Sequence, residues 1–466
     1  MDVKDVVVIG GGPGGYVAAI RAAQLGGQVT LVEKDKLGGV CMNCGCVPTK
    51  VLMRGVELLH FIEESRHFGI RVEKVSLDIA ELMAYKDLVV KTVGIGLIGL
   101  MKKNGIEVLN GKADLLSPTE VEIANEKGER VHCRARKVIL ATGSIPADLH
   151  LPGADKILTS DEALTFHEVP KSIVIVGAGA VGVEFGVIYA KLGSQVTILE
   201  MMPQIIPTED RDVALALEEC LKRYRIGIVT SAKVQRIEES GKGKRKVFAS
   251  TPKGEETFEG DEILPAIGRK PNIEGLHLRE IGLNLTSRGI EVNERMETNV
   301  SGIYAVGDVT GRQLMAHFAS AQGVVAAENA MGKEASLEEH VVPRCIYTFP
   351  EVACVGMTEN QAKERGYKTK IGRFPFEGNV KAAILREQVG FVKVVSEATY
   401  GEILGVHIIG PQATNLIGEV ALAMQSEIFP ENIGKAIHPH PTLSEAIMEA
   451  CLDIEREALH IPPRAK

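Results

Sequence analysis

Residues 5–33 read DVVVIGGGPGGYVAAIRAAQLGGQVTLVE. The stretch opens on a wholly apolar run of the kind buried in a parallel sheet, passes through a glycine-rich turn, continues with helical periodicity and ends in a second apolar strand. Gly10, Gly12 and Gly15 satisfy G-x-G-x-x-G, and Glu33 closes the second strand eighteen residues after Gly15. The glycines allow a tight turn and close backbone approach. The helix N-terminus offers unpaired N–H groups to a pyrophosphate, and an acid at this distance suits a ribose diol.

The pattern recurs at 172–200, SIVIVGAGAVGVEFGVIYAKLGSQVTILE, with Gly177, Gly179 and Gly182 and a terminal Glu200 at the same offset. One such fingerprint is weak evidence, because glycine turns join strands to helices for steric reasons alone. Two complete copies predict two dinucleotide sites. Glu200 would repel a 2′-phosphate, and the MMPQII that follows supplies no arginine to hold one, so the second site is expected to take NAD rather than NADP.

Three cysteines, Cys41, Cys44 and Cys46, fall in GGVCMNCGCVPTK, while Cys133, Cys220, Cys345, Cys354 and Cys451 are scattered singly and read as reduced structural cysteines. No second C-x-x-C or nearby histidine pair completes a zinc site at the cluster, and no metal is expected. A redox disulfide is the remaining reading. Its partners are either Cys41 with Cys44 or Cys41 with Cys46, and spacing does not choose between them. Two dinucleotide sites beside a thiol pair most simply pass electrons between nicotinamide and sulfur through a flavin, which makes the first site one for FAD.

The remaining composition fits a chain of several domains. The 466 residues are 45% hydrophobic and 24% charged, with 53 Lys plus Arg against 61 Asp plus Glu and a formal charge of −8. No basic block invites nucleic acid, and no apolar stretch is long enough to span a bilayer. The opening MDVKDVVVIGGG enters a strand at once, without a charged leader, and a cytoplasmic protein is expected.

GGVCMNCGCVPTK resembles the active-site segment of the flavoprotein disulfide reductases, and the likeness runs in order along the chain: ATGSIP at 141–146, IGRKPN from Ile267, TNVSGIYAVGDV at 298–309, and HPHPTLSE at 438–445. It implies two Rossmann-like dinucleotide-binding domains plus a C-terminal α+β dimerisation domain. Residues 1–146 and 268–340 would form the FAD-binding and central parts, 147–267 the NAD-binding domain and 341–466 the interface domain.

By the same resemblance Cys41 is the interchange thiol and Cys46 the thiol against the flavin. Lys50 would sit near the flavin and pair with Glu184. Ala113, Asp308 and Ala316 would join the FAD contacts, with Asp308 on the ribitol chain, and Val234 and Gly268 would lie beside NAD. His440 is implied as the base, oriented by Glu445 and reaching across a homodimer interface. Thr442 and Glu445 also make T-L-S-E, a capping box that could start a helix with no catalytic role. Cys44 departs from the family pattern, which usually has another residue there.

The implied reaction oxidises dihydrolipoyl groups to lipoyl groups and makes NADH. The lipoyl-bearing partner would be a protein of a 2-oxo acid dehydrogenase complex or of the glycine cleavage system. An NADP-linked reductase of another thiol would need basic residues where Glu200 stands. A non-catalytic flavoprotein would not need Cys41, Cys46, His440 and Glu445 together.

Overall fold

Val6, Val7 and Val8 are fully buried, as a central parallel strand covered on both faces requires. The computed structural model describes residues 3–125, 127–154, 157–241 and 243–462. Strand Lys4–Ile9 lies between the parallel strands Val29–Glu33 and Arg130–Leu140, with Glu107–Asn110 beyond the former. Ile303–Ala305, from far along the chain, pairs with Val138–Leu140 and completes this sheet. Helix Pro13–Gln24 begins at a proline, where the missing N–H is one that the helix leaves unpaired anyway. It packs on helix Ala316–Ala330 so closely that a Cβ on Gly323 would collide with the Gly14 carbonyl.

The second fingerprint builds a parallel sheet in the order Gly227–Val229, Gln195–Leu199, Ser172–Val176, Glu262–Pro265, with helix Ala180–Lys191 against it and an antiparallel ribbon of Lys233–Glu239, Arg245–Thr251 and Gly254–Gly260. The chain passes between the two units twice, at Ser144–Pro146 and Arg269–Pro271, and these two passages pair with each other antiparallel.

The last unit is a five-stranded antiparallel sheet in the order Arg344–Ile346, Glu351–Gly356, Ile403–Gly410, Phe391–Glu397, Thr369–Pro375. In sequence, GFVKVV and ILGVHIIG carry alternating strand patterns. Every residue of Phe391–Glu397 and Ile403–Gly410 is buried. One face, with Ala353, Val392, Val394 and Ile408, packs on helices Ala413–Gln425 and Glu445–Asp453. The other, with Val352, Cys354, Phe391 and Ile409, joins the core of the NAD unit around Ile173 and Phe185. Lys393 and His407 are therefore buried polar residues. Among the described residues no helix is long and apolar enough to cross a membrane.

Candidate active site

A single cleft of about 1130 Å³ is lined by both glycine turns and by the thiol segment. Gly10 and Gly177 adopt φ of +105° and +106°, the region that glycine alone enters freely, and a Cβ on either would strike the carbonyl of Ala141 or Ala266. Gly12 and Gly179 cap their helices on the cleft side, and nothing lies within 4 Å of a Cβ built on Gly179. Gly15 and Gly182 do not line the cleft: a Cβ on each would collide with the carbonyl of Gly10 or Gly177. They hold helix against strand rather than touch a ligand, because one turn into the helix they face the preceding loop.

The two acids are used identically. Glu33 accepts the N–H groups of Gly11 at 2.7 Å and Asp35 at 2.9 Å. Glu200 accepts those of Ala178 at 2.6 Å and Met202 at 2.8 Å. Each carboxylate thus fastens its own glycine turn and keeps lone pairs for a ribose diol. Ala113, Val234, Gly268, Asp308 and Ala316 line the same cleft. Asp308 accepts the Ser144 hydroxyl at 2.6 Å, and Ser144 is itself held by Arg269, whose Nε donates to Oγ at 2.7 Å and whose Nη2 donates to the carbonyl at 2.8 Å. Sequence reasoning quoted Ser144 and Arg269 only as members of ATGSIP and IGRKPN and gave them no role; they lie 164 and 39 residues from Asp308.

The thiols sit where two helices meet. A short helix, Gly39–Cys44, ends at Gly45 (φ −143°, ψ −111°), and a new helix, Cys46–Glu64, begins on the next residue. The break separates the three cysteines. Cys41 donates its S–H to Cys46, and this bond, followed by the charge of Lys50, brings the Cys46 thiol down to about 7. The same bond raises Cys41. Cys44 instead bonds to the carboxylate of Asp161 and is pushed up to about 12, by burial first and then by that carboxylate. Lys50 Nζ lies 2.7 Å from Glu184 Oε2 and 4.4 Å above the Tyr347 ring, while Glu184 Oε1 accepts the Tyr347 N–H at 3.0 Å.

His440 lies apart from this cleft among the described residues, with its side chain 64% exposed. Its Nδ1 donates to Glu445 Oε1 at 2.8 Å, and Glu445 Oε2 accepts the Thr442 N–H at 2.8 Å. Burial works against the ionised carboxyl, but the Thr442 N–H and His440 outweigh it and hold Glu445 below its ordinary value. Only half of the capping box forms: Thr442 Oγ1 donates to the Pro439 carbonyl at 2.8 Å instead of accepting from the helix, which starts at Glu445 after Ser444. His438 is half-buried, with both ring nitrogens engaged by Glu419 at 2.9 Å and Ala436 at 3.0 Å.

Family models match this arrangement along nearly the whole chain: pyridine nucleotide-disulphide oxidoreductase over residues 4–323 and the dimerisation domain of that family over 342–451. The chain belongs to the pyridine nucleotide-disulphide oxidoreductases. It is similar to dihydrolipoyl dehydrogenase of Thermus scotoductus, 43% identical over 99% of both chains. The Bacillus subtilis enzyme of the same name is 42% identical over 98% of this chain and 99% of that one. A mitochondrial pea counterpart is 40% identical over 99% of this chain and 93% of its own. Among solved structures, LpdA from Mycobacterium tuberculosis superposes with a TM-score of 0.88 at 28% identity, covering 96% of this chain and 98% of that one.

As a pyridine nucleotide-disulphide oxidoreductase the chain is an FAD- and NAD-using enzyme, and its residues fit both groups. Two helix N-termini open on one cleft, each with a bare glycine and an acid at ribose distance. Replacing Glu200 with Ala is expected to raise the KM for NAD about 10- to 100-fold, the worth of a charged hydrogen-bond partner at about 1.5–3 kcal/mol, with FAD content unchanged. Steady-state kinetics alongside flavin absorbance checks this.

Proposed function

We propose that this oxidoreductase oxidises protein-bound dihydrolipoyl groups to lipoyl groups with NAD as acceptor, acting in the cytoplasm as a homodimer through a Cys41–Cys46 disulfide. The observation that carries the reading is the thiol geometry, in which Cys41 bonds to Cys46 while Cys44 is turned away to Asp161. The relatives matched end to end are named for that activity, and the dimerisation domain supports the homodimer. Buried single thiols such as Cys220, Cys354 and Cys451 suit a reducing compartment.

His440 removes a proton from the substrate thiol, with Glu445 fixing the imidazole so that Nε2 faces outward. The substrate thiolate attacks Cys41 Sγ, forming a mixed disulfide and releasing Cys46 as a thiolate. Cys46 is a good leaving group because the charge of Lys50 stabilises its thiolate. The second substrate thiol then displaces Cys41, which takes up a proton, and the lipoyl disulfide departs. Bound FAD supplies the two-electron relay from this dithiol to NAD. Ser144 and Arg269 hold Asp308 in place, where it would bind the ribitol chain.

Anaerobic titration with dihydrolipoamide, followed by addition of NAD, tests the reading. Long-wavelength thiolate–flavin absorbance and then NADH are expected; turnover with another thiol or only with NADP would keep the family and overturn the substrate. The pH dependence is also set. Because Cys46 titrates near 7, below its ordinary value, its thiolate prevails above that pH and is lost as pH falls through it. The long-wavelength absorbance of the reduced protein is expected to follow that course, and Lys50→Met is expected to move the midpoint upward.

A further inference from the structure

Cys354 and His407 face each other directly across neighbouring strands of the interface sheet, on the side that packs against the NAD unit. Opposite them stands Glu209, at the end of the loop that follows Glu200. A carboxylate oxygen, the thiol sulfur and an imidazole nitrogen from these three buried residues all lie within 4.8 Å of one another.

The imidazole is set up to accept something. His407 is 0% exposed, and its Nε2 lies 3.0 Å from the Met357 carbonyl oxygen, which fixes the ring proton there. Nδ1 then keeps a bare lone pair, and it has no hydrogen-bond partner. A buried polar atom left in this state is destabilising. A buried histidine that gives one N–H to a backbone carbonyl, keeps its other nitrogen unpartnered and stands beside a thiol and a carboxylate is arranged as metal-ligating histidines are.

The surrounding charge agrees. Arg344 pairs with Glu209 at 2.9 Å, and Lys393 is shared among Asp210 at 3.0 Å, Asp212 at 2.8 Å and Glu359 at 2.8 Å. Counting Lys363, which also pairs with Glu359, four carboxylates face three cations, and Glu209 has lone pairs beyond those that Arg344 and the Thr208 hydroxyl take. A second cleft, of about 670 Å³, is lined by Thr208, Arg344 and Met357, immediate neighbours of the cluster.

We propose that Glu209, Cys354 and His407 form a binding site for a divalent transition-metal ion of borderline softness, with Zn²⁺ as the reference ion, clasping the NAD unit to the interface sheet. One nitrogen, one sulfur and one oxygen ligand plus a water suit tetrahedral zinc. Binding replaces the S–H proton of Cys354, now directed at Glu209, with the metal and releases that proton to solvent. The three ligands come from positions far apart in the chain, so no sequence motif announces them.

The test is titration of the oxidised holoenzyme with Co²⁺, in which the active-site dithiol is closed as a disulfide. Ligand-field bands are read in the red, where oxidised flavin does not absorb, and the thermal midpoint is followed with Zn²⁺. One Co²⁺ per chain with thiolate-type bands is expected, together with a midpoint that rises with Zn²⁺. Cys354→Ser and Glu209→Gln are each expected to weaken binding at least about 10-fold; the second serves if the first does not fold. No bands in the parent protein would overturn the site. So would bands that persist in both variants, or that vanish in Cys44→Ser instead.

Discussion

Dihydrolipoamide-dependent NADH formation is expected to fall by about 10³-fold or more in Cys41→Ser, with the protein folded and its flavin retained. A serine hydroxyl cannot form a disulfide with Cys46, so the substrate thiolate has no sulfur to attack. Cys44 gives the control. Its thiol is held by Asp161 and by burial in the protonated state, so Cys44→Ser is expected to turn over close to the parent rate. Peptide mass mapping of the oxidised protein should find Cys41 joined to Cys46. A Cys41–Cys44 bridge, or equal losses in the two variants, would sink the assignment.

The second large effect is that of the base. His440→Ala is expected to lower kcat/KM for dihydrolipoamide about 10²- to 10⁴-fold, the usual worth of a positioned acid–base group, while NADH oxidation by an artificial electron acceptor continues. Glu445→Gln should lose less, since it removes the charge behind the imidazole but keeps an oxygen for His440 or Thr442. Because His440 stands outside its own chain's thiol cleft, the defects should complement in trans. Mixed dimers of a Cys41→Ser chain with a His440→Ala chain would hold one intact site and regain activity that neither parent variant has. Were base and thiols to act within one chain, the mixed dimer would stay dead.

Legibility followed sequence distance. The two glycine fingerprints could be read because strand, turn, helix and acid lie within thirty residues and each residue type has a local steric or electrostatic reason. The roles within a fingerprint were less legible: Gly15 and Gly182 have the motif's spacing, yet they serve packing. The break at Gly45 could not be foreseen from spacing, so the residues alone left the partner of Cys41 open. Contacts that close across the fold left no trace in local spacing, and the Lys50–Glu184 pair was expected only from the family resemblance. Asp308 on Ser144, Cys44 on Asp161, and Glu184 bridging Lys50 to the Tyr347 backbone each join segments more than a hundred residues apart. The interface strands were legible as strands but not as doubly buried ones: their second face is covered by another unit, and periodicity in a strand does not say what lies opposite it.

The strand Ile303–Ala305, which completes the first sheet, also sets an order on synthesis. A chain leaving the ribosome displays the first fingerprint within its opening residues, yet the strand beside Val138–Leu140 arrives only after the whole NAD unit has emerged. Until then the sheet has an open edge of Val138, Ile139 and Leu140, all destined for full burial. The NAD unit, whose four parallel strands lie between Ser172 and Pro265, has no such wait. It is the part able to fold first, so the last-made half of this enzyme closes the work begun by the first.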